Sequence, residues 1–141
     1  MADTSIERQL IAVAPLFFVR DIQTASSYYR DVLGFKFDRI WGDPPCFCMP
    51  RRDGLTIMLS EVEGKTRIRP NGSDGESWDA YVWVGDAETL FAEFKAKGAR
   101  VVHPPVDRTF YGNREFAVRD IDGYIIAFAH DIEAYRRSKP M

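Results

Sequence analysis

The sequence predicts an α+β fold in which two tandem βαβββ modules form a curved mixed sheet around a central cup. Two observations support this. The chain repeats itself: "VRDIQTASSYYRDVLGFKF" at 19–37 and "VGDAETLFAEFKAKGARVV" at 84–102 present an aspartate, a helical stretch and a glycine in the same order. A length of 141 residues with 45% hydrophobic content also suits one domain, or two closely packed modules of half that size.

The first module, about residues 10–61, begins with an apolar strand, "IAVAPLFFV", at 11–19. Asp21 follows in a position to cap a helix by accepting hydrogen bonds from its free N–H groups. That helix carries one apolar stripe, made of Ala25, Tyr28, Tyr29, Val32 and Leu33. Gly34 supplies the left-handed conformation that ends it. Further strands are predicted within 35–41, 46–49 and 55–60.

The second module, about residues 78–131, repeats this order. Its first strand is "DAYVWV", Asp86 caps the helix, and Gly98 ends it. The later strands are predicted within 99–103, 113–118 and 124–130. Between the modules, residues 62–77 are rich in glycine, proline and charge and are interpreted as a linker without structure of its own. The tail, 132–141, is expected to form a short helix with a basic last turn or to fray.

A strand-helix-three-strand module covers only one face of its sheet, so two modules have to close on each other. We therefore expect a concave cup between them.

Composition excludes several classes of function. The net charge is −2 and no Lys/Arg run exceeds two residues, so the basic field that draws proteins to phosphate backbones is missing and nucleic acid is not an expected partner. The apolar N-terminal stretch, about nine residues interrupted by proline, is too short to span a membrane and lacks the pattern of a secretion signal. A cytoplasmic protein without membrane contact is predicted.

The two cysteines, Cys46 and Cys48, lie in "PCFCMP". Strand alternation would put both sulfurs on one face at a spacing unsuited to a disulfide. We interpret them as small apolar residues of a half-buried strand.

Two segments carry a family resemblance: "VRDIQTASSYYRDVLGF" near the start and "YGNREFAVRDIDG" near the end. Together with the paired modules, they resemble the glyoxalase, bleomycin-resistance and extradiol-dioxygenase superfamily, also called the vicinal oxygen chelate fold, over about residues 10–131. The second segment is most similar to the bleomycin-resistance branch. The resemblance implies a homodimer with ligand clefts at the boundary between chains, often with exchange of elements.

In the enzymes of this superfamily a divalent metal is held by the first strand of each half and by a glutamate on the last strand. The resemblance places these positions on Ala14, Asp79 and Ala127. Two of the three are methyl groups, which cannot bind a metal. His103 and His130 lie elsewhere in the pattern and are interpreted as satisfied surface or rim residues. No metal, cofactor or catalytic residue is therefore predicted.

Two-residue alternation assigns small apolar residues, aromatic residues and two carboxylates to the cup. Such a surface suits a flat or cationic organic molecule. The predicted ligand-binding residues are Phe18, Trp41, Asp79, Tyr81, Trp83, Phe110, Tyr111 and Glu115.

The leading hypothesis is a metal-free binding protein that sequesters an aromatic or cationic compound, in the manner of antibiotic-resistance proteins. Three alternatives stay open. One is an enzyme of the glyoxalase or dioxygenase type with an unusual metal site formed by Asp79, Glu115 and His130. Another is a cofactor-free enzyme with Asp79 or Glu115 as general base. In the third, Tyr81 and Trp83 fill the cup, the two carboxylates pair with Arg114 or Arg119, and the protein is a dimeric scaffold.

Overall fold

The fold was analysed in a computed structural model, which describes residues 7–72 and 77–139. The first half contains one helix, α1 (Ile22–Asp31), and six short strands. These strands are β1 (Leu16–Val19), β2 (Ile40–Trp41), β3 (Phe47–Cys48), β4 (Arg51–Arg52), β5 (Leu55–Thr56) and β6 (Met58–Glu61). A single 3-10 turn follows at Lys65–Arg67.

The second half contains α2 (Ala87–Ala96) and ends with a third helix, α3 (Ile132–Ser138). Its strands are β7 (Ala80–Trp83), β8 (Arg100–Arg108), β9 (Asn113–Arg119) and β10 (Ile125–Asp131). Within the described residues, none of the helices has the length and apolar character that crossing a membrane requires.

The strands form two four-stranded mixed sheets of the same design. The first has the order β1-β6-β3-β2 and the second the order β7-β10-β9-β8. In each, the opening strand pairs in parallel with the closing strand, and the remaining pairs are antiparallel. Strands β4 and β5 form a separate hairpin. The predicted α+β class with repeated strand-helix-strand order is confirmed.

The helix ends follow the predicted chemistry. The carboxylate of Asp21 accepts a hydrogen bond from the Thr24 N–H at 3.0 Å, and that of Asp86 accepts one from the Thr89 N–H at 3.2 Å. The helices are followed by Gly34, with a φ of 75°, and by Gly98, with a φ of 89°. Only glycine adopts this conformation without strain, so both glycines mark the ends of their helices as expected.

One hydrophobic core joins the two halves, and the turn after β9 fastens them. The ring of Tyr124 stacks on Phe17 with centroids 4.3 Å apart, and its hydroxyl donates to the Phe18 carbonyl at 2.7 Å. The hydroxyl of Tyr29 on α1 donates to the buried carboxylate of Asp120 at 2.6 Å. This turn therefore ties β1 and α1 to the second sheet.

The structure corrects the predicted length of the first strand. The prediction was 11–19, but the strand begins at Leu16. The Met58 N–H donates to the Pro15 carbonyl, and the chain before β6 pairs with β4 instead of with residues 11–14. This leaves Ile11 and Val13 exposed, at 74% and 88%.

Three other segments also differ. Strand β8 continues through Pro104 and Pro105 to Arg108, well past the predicted end at 103. β8 lies at the edge of its sheet, and its register with β9 is shifted at this point. The N–H groups that Pro104 and Pro105 lack would have had no partner in the ladder, so both prolines are tolerated. The linker contains the 3-10 turn, and its residues 73–76 lie outside the described chain. The tail is helical rather than frayed, because Asp131 caps α3 by accepting from the Ala134 N–H.

Candidate functional site

Each sheet has one face turned to the shared core and one turned away, which we call its open face. In the second sheet, Val82, Phe116 and Phe128 belong to the shared core. The residues between them, Tyr81, Ala117, Ile125 and Ala127, form a separate small cluster on the opposite side. The alternation that the sequence predicted for these strands is confirmed.

Aromatic rings are concentrated on the open face of the second sheet. The Tyr81 ring lies at its centre, with centroids 5.0 Å from Trp78, 5.4 Å from Trp83 and 6.4 Å from Tyr111. Phe110 extends the group from Tyr111 at 6.0 Å. We call these five residues the aromatic array. Two of them remain largely in water, since Trp83 is 62% exposed and Phe110 95% exposed.

Buried alanines form the floor beneath this array. Ala127 on β10 pairs with Tyr81 on one side and with Ala117 on the other. Ala117 is 3% exposed, and Ala127 and Ala129 are fully buried. Methyl groups at these positions leave the space above the sheet to the aromatic rings.

A buried carboxylate holds the array in place. Glu115 is fully buried and accepts hydrogen bonds from the hydroxyls of Tyr81 at 3.0 Å and Tyr111 at 2.5 Å. The guanidinium of Arg108 donates to its other oxygen at 3.2 Å, and the His103 ring lies 3.6 Å from that oxygen. Every bond of Glu115 is therefore to a donor on the same face, and both of its oxygens are engaged.

Burial, together with the Glu115 contacts, favours the protonated form of the two tyrosines. Burial, and then the neighbouring Glu115 carboxylate, raise the pKa of Tyr111. The pKa of Tyr81 is also raised, chiefly by burial. The Tyr81 hydroxyl accepts from the Asn113 amide at 2.9 Å, and the Oδ1 atom of that amide is buried without a hydrogen-bond partner among the described residues.

The open face of the first sheet carries aromatic rings under arginines. Phe18 lies beneath the Arg67 guanidinium, whose carbon is 4.6 Å from the ring centroid, and Trp41 lies beneath Arg39 at the same distance. Trp41 also borders a cavity of about 780 Å³. Other residues that line this cavity are Ala12, Ala14, Arg39, Met49 and Met58.

The two open faces do not meet within one chain. Among the described residues, no hydrogen bond, ion pair or ring contact links a side chain on one open face to a side chain on the other. The eight predicted ligand-binding residues are therefore divided: Tyr81, Trp83, Phe110, Tyr111 and Glu115 lie together on the second sheet, Phe18 and Trp41 on the first, and Asp79 at the edge of the second.

The carboxylate of Asp79 accepts hydrogen bonds from two backbone N–H groups. One carboxylate oxygen accepts from the Asn71 N–H at 2.7 Å and the other from the Ile125 N–H at 2.8 Å. It thereby fastens the end of the linker to the start of β10.

The residues at the family's metal positions do not fit a metal. Ala14 and Ala127 offer methyl groups, and both oxygens of Asp79 are held by N–H donors. In residues 7–72 and 77–139, no group of three or more histidine, cysteine, aspartate or glutamate side chains is placed to hold an ion.

Several predicted details are corrected here. The partner of Glu115 is Arg108, whereas Arg114 pairs with Asp107 and Glu88. His130 is not a surface residue: it is 5% exposed, and its Nδ1 accepts from the Ala87 N–H at 2.9 Å. Burial lowers its pKa, which favours the neutral ring that this bond requires.

Sequence reasoning also missed Trp78, Arg108 and Asn113 as members of the second open face. Trp78 and Arg108 lie outside the predicted strands, where alternation gives no information, whereas Asn113 is the first residue of the predicted strand 113–118 and alternates to the same face as Glu115, a signal that could have identified it. Of the cysteines, Cys48 is buried and Cys46 exposed, and both are free.

Comparison with known proteins places this fold in a family. The model of the Glyoxalase/Bleomycin resistance protein/Dioxygenase superfamily matches residues 11–128, most of the chain. The chain belongs to this superfamily. No curated protein sequence matches it.

Three solved structures illustrate the likeness. TioX from Micromonospora sp. ML1 has 21% sequence identity and a TM-score of 0.68, with coverage of 86% of this chain and 98% of that one. The bleomycin-binding protein from bleomycin-producing Streptomyces verticillus, solved with copper(II)-bleomycin, has 25% identity and a TM-score of 0.65, with coverage of 86% and 96%. A superfamily member from Nocardioides has 17% identity and a TM-score of 0.65, with coverage of 98% and 91%.

Proposed function

We propose that this protein is a metal-free binding protein that sequesters a flat aromatic compound in the cytoplasm, acting as a homodimer. The observation that carries the proposal is the aromatic array on its alanine floor. Large rings that stay exposed above a rigid sheet favour stacking with a planar ligand. The chemistry needed is binding alone.

The array can supply the required affinity. A ligand that buries about 200 Å² of apolar surface gains about 5 kcal/mol at 25 cal/mol per Å², and each stacked ring pair adds on the order of 1 kcal/mol. Part of this gain offsets the lost translational and rotational freedom of the ligand. The Glu115 contacts reduce a further cost, because Tyr81 and Tyr111 are already fixed before the ligand arrives.

The homodimer is proposed because residues 7–72 and 77–139 leave large side chains exposed on each open face. Leu16 on the first sheet is 51% exposed and Trp83 on the second is 62% exposed. A second copy can place its first sheet over the second sheet of its partner, and symmetry then produces two equivalent chambers. Each chamber would combine Phe18 and Trp41 from one copy with the aromatic array of the other.

The neighbour solved with copper(II)-bleomycin supports this role. Its sequence identity of 25% over nearly all of its length makes antibiotic sequestration the first activity to test. The rival enzymatic roles receive less support. The Glu115 side chain is 1% exposed and both of its oxygens already accept hydrogen bonds, so a substrate has poor access to it as a base, and the residues at the metal positions offer methyl groups and an occupied carboxylate.

The test is calorimetric titration of the purified protein with metal-free bleomycin and with planar aromatic antibiotics of other classes. Saturable binding that Trp83→Ala weakens at least about tenfold, the loss expected for a stacked ring, supports the proposal. Val101→Ala is the matched control, because Val101 is 39% exposed but pairs across the sheet with Val118, on the side of the shared core and away from the array. Binding that is equally strong in both variants would contradict a site on the array.

Two further measurements address assembly and metal. Sedimentation at micromolar concentration should give the mass of two chains, and a monomer at that concentration would contradict the shared chamber. Elemental analysis of protein purified without chelators should show no stoichiometric transition metal. A bound metal at one per chain would favour an enzyme instead.

A further inference from the structure

We propose that the ligand is an aromatic anion, and that the arginines of the open faces select it. This inference rests on the proposed function, which it deepens by naming the charge of the ligand. The two open faces carry both carboxylates and arginines. The two kinds of group differ in how many hydrogen bonds and ion pairs they already form within the protein.

The carboxylates of the second open face are already hydrogen-bonded through both of their oxygens. Glu115 is 1% exposed at its side chain and is surrounded by two hydroxyls and a guanidinium. Asp79 is occupied by two backbone N–H groups. A cationic ligand would have to displace these donors to reach either carboxylate, and the displaced groups would then lose their own partners.

The arginines, in contrast, keep free donors. Arg39 and Arg67 each lie over an aromatic ring and form no ion pair among the residues described. Arg108 uses Nε for Glu115, yet its side chain is 45% exposed. A guanidinium has five N–H donors in a planar fork, so all three have N–H groups to spare for a carboxylate, phenolate or sulfonate.

The cavity on the first sheet also favours an anionic ligand. Its lining includes three cations, Lys36, Arg39 and Arg51, against two carboxylates, Asp38 and Asp53. Asp53 lies 3.9 Å from the Arg52 guanidinium, which partly neutralises it. The net charge of the side chains that line this cavity is therefore positive, which favours an aromatic ligand with an acidic group.

The test compares three naphthalene derivatives of one shape: 2-naphthoate, 2-naphthamide and 2-naphthylmethylammonium. Binding is followed by quenching of tryptophan fluorescence, because Trp41, Trp78 and Trp83 are the three tryptophans of the chain and all belong to the open faces. The anion should bind about tenfold more tightly than the cation in low salt, with the amide between them. Added salt should narrow this gap.

The variant that tests the cause is the double substitution Arg39→Gln and Arg67→Gln. It should lower naphthoate affinity about tenfold and change naphthamide affinity less than about threefold. Arg136→Gln on the exposed face of α3 is the control and should preserve the preference. Arg108 is left intact because its loss would expose Glu115 without its counter-charge.

The outcomes separate the two proposals. Equal binding of all three compounds, or tighter binding of the ammonium, overturns the charge assignment and leaves the aromatic site standing. A preference that survives the double substitution also overturns it, because other groups would then provide the selection. Failure of all three compounds to bind at millimolar concentration contradicts both proposals.

Discussion

The contribution of the buried carboxylate of Asp120 to the stability of this protein should fall as pH rises from 4 to 6. Asp120 accepts hydrogen bonds from the Tyr29 hydroxyl and from the N–H groups of Asp122 and Tyr124. These bonds favour the charged form, but burial outweighs them and raises the pKa of Asp120 from 3.8 to about 6. The folded protein therefore binds this proton more tightly than the unfolded chain does.

The sign and size follow from this difference. Between pH 3.8 and about 6 the folded state keeps a proton on Asp120 that the unfolded state has lost, so the contribution of Asp120 to the free energy of unfolding decreases as pH rises. A pKa that differs by one unit between the folded and unfolded states corresponds to about 1.4 kcal/mol, so the raised pKa of Asp120 corresponds to about 3 kcal/mol in the free energy of unfolding. This stabilisation is complete below pH 3.8 and absent above pH 6.

Asp120→Asn isolates the effect. Asparagine has nearly the same shape and keeps an oxygen for the two backbone N–H groups, but it does not titrate. Urea unfolding of both proteins at pH 3.5 and pH 7, at one protein concentration, should show the variant gaining about 3 kcal/mol relative to the wild type on going to the higher pH.

The control is Asp107→Asn. Asp107 is an exposed carboxylate, and its hydrogen bonds with Arg114 lower its pKa. Its contribution to stability therefore grows with pH, which is the opposite sign. A difference between the wild type and Asp120→Asn that stays constant from pH 3.5 to pH 7 would refute the assignment of a raised pKa to Asp120.

Two further predictions concern stability. Glu115→Gln should lower the free energy of unfolding by roughly 2 kcal/mol, because an amide cannot accept hydrogen bonds from two tyrosines and an arginine at once. Glu88→Gln is the control: Glu88 is in an exposed ion pair, so its loss should lower the free energy of unfolding by less than about 1 kcal/mol. Gly34→Ala should lower the free energy of unfolding more than Gly98→Ala. Both glycines have a positive φ, which costs an alanine about 1 kcal/mol of strain. A Cβ at Gly34 would also lie 2.7 Å from the Arg52 guanidinium, whereas a Cβ at Gly98 has nothing within 4 Å. Urea unfolding measures both, and equal losses within either pair would contradict the contacts invoked.

The sequence predicted the helices and the faces of the long strands because those features depend on local chemistry. Asp21 and Asp86 cap their helices, and Ala117 and Ala127 lie opposite the shared core, as alternation requires. The failures come from pairing between distant segments. Residues 11–14 look like a strand, but in the part of the chain that the structure describes the pairing with β6 starts only at Leu16 and Met58.

The partner of Glu115 was missed for a related reason. Arg114 and Arg119 are its neighbours along the same strand, but Arg114 as the adjacent residue points to the other face. Arg108 reaches Glu115 from β8, across the hairpin that joins β8 to β9. Strand alternation describes one strand at a time, so it cannot identify a residue that approaches from the next strand. The division of the open faces between two sheets that do not face each other in one chain is equally a property of the tertiary fold.

The aromatic array also explains why a chelating residue is excluded at 127. In the sheet, Ala127 is the cross-strand neighbour of both Tyr81 and Ala117 and is fully buried. A glutamate there would need the space above the sheet that the Tyr81 ring occupies, and it would bring a second buried carboxylate toward Glu115 without a counter-charge. A metal site and an aromatic array are therefore alternative uses of one sheet face, and the methyl group at 127 commits this chain to the array.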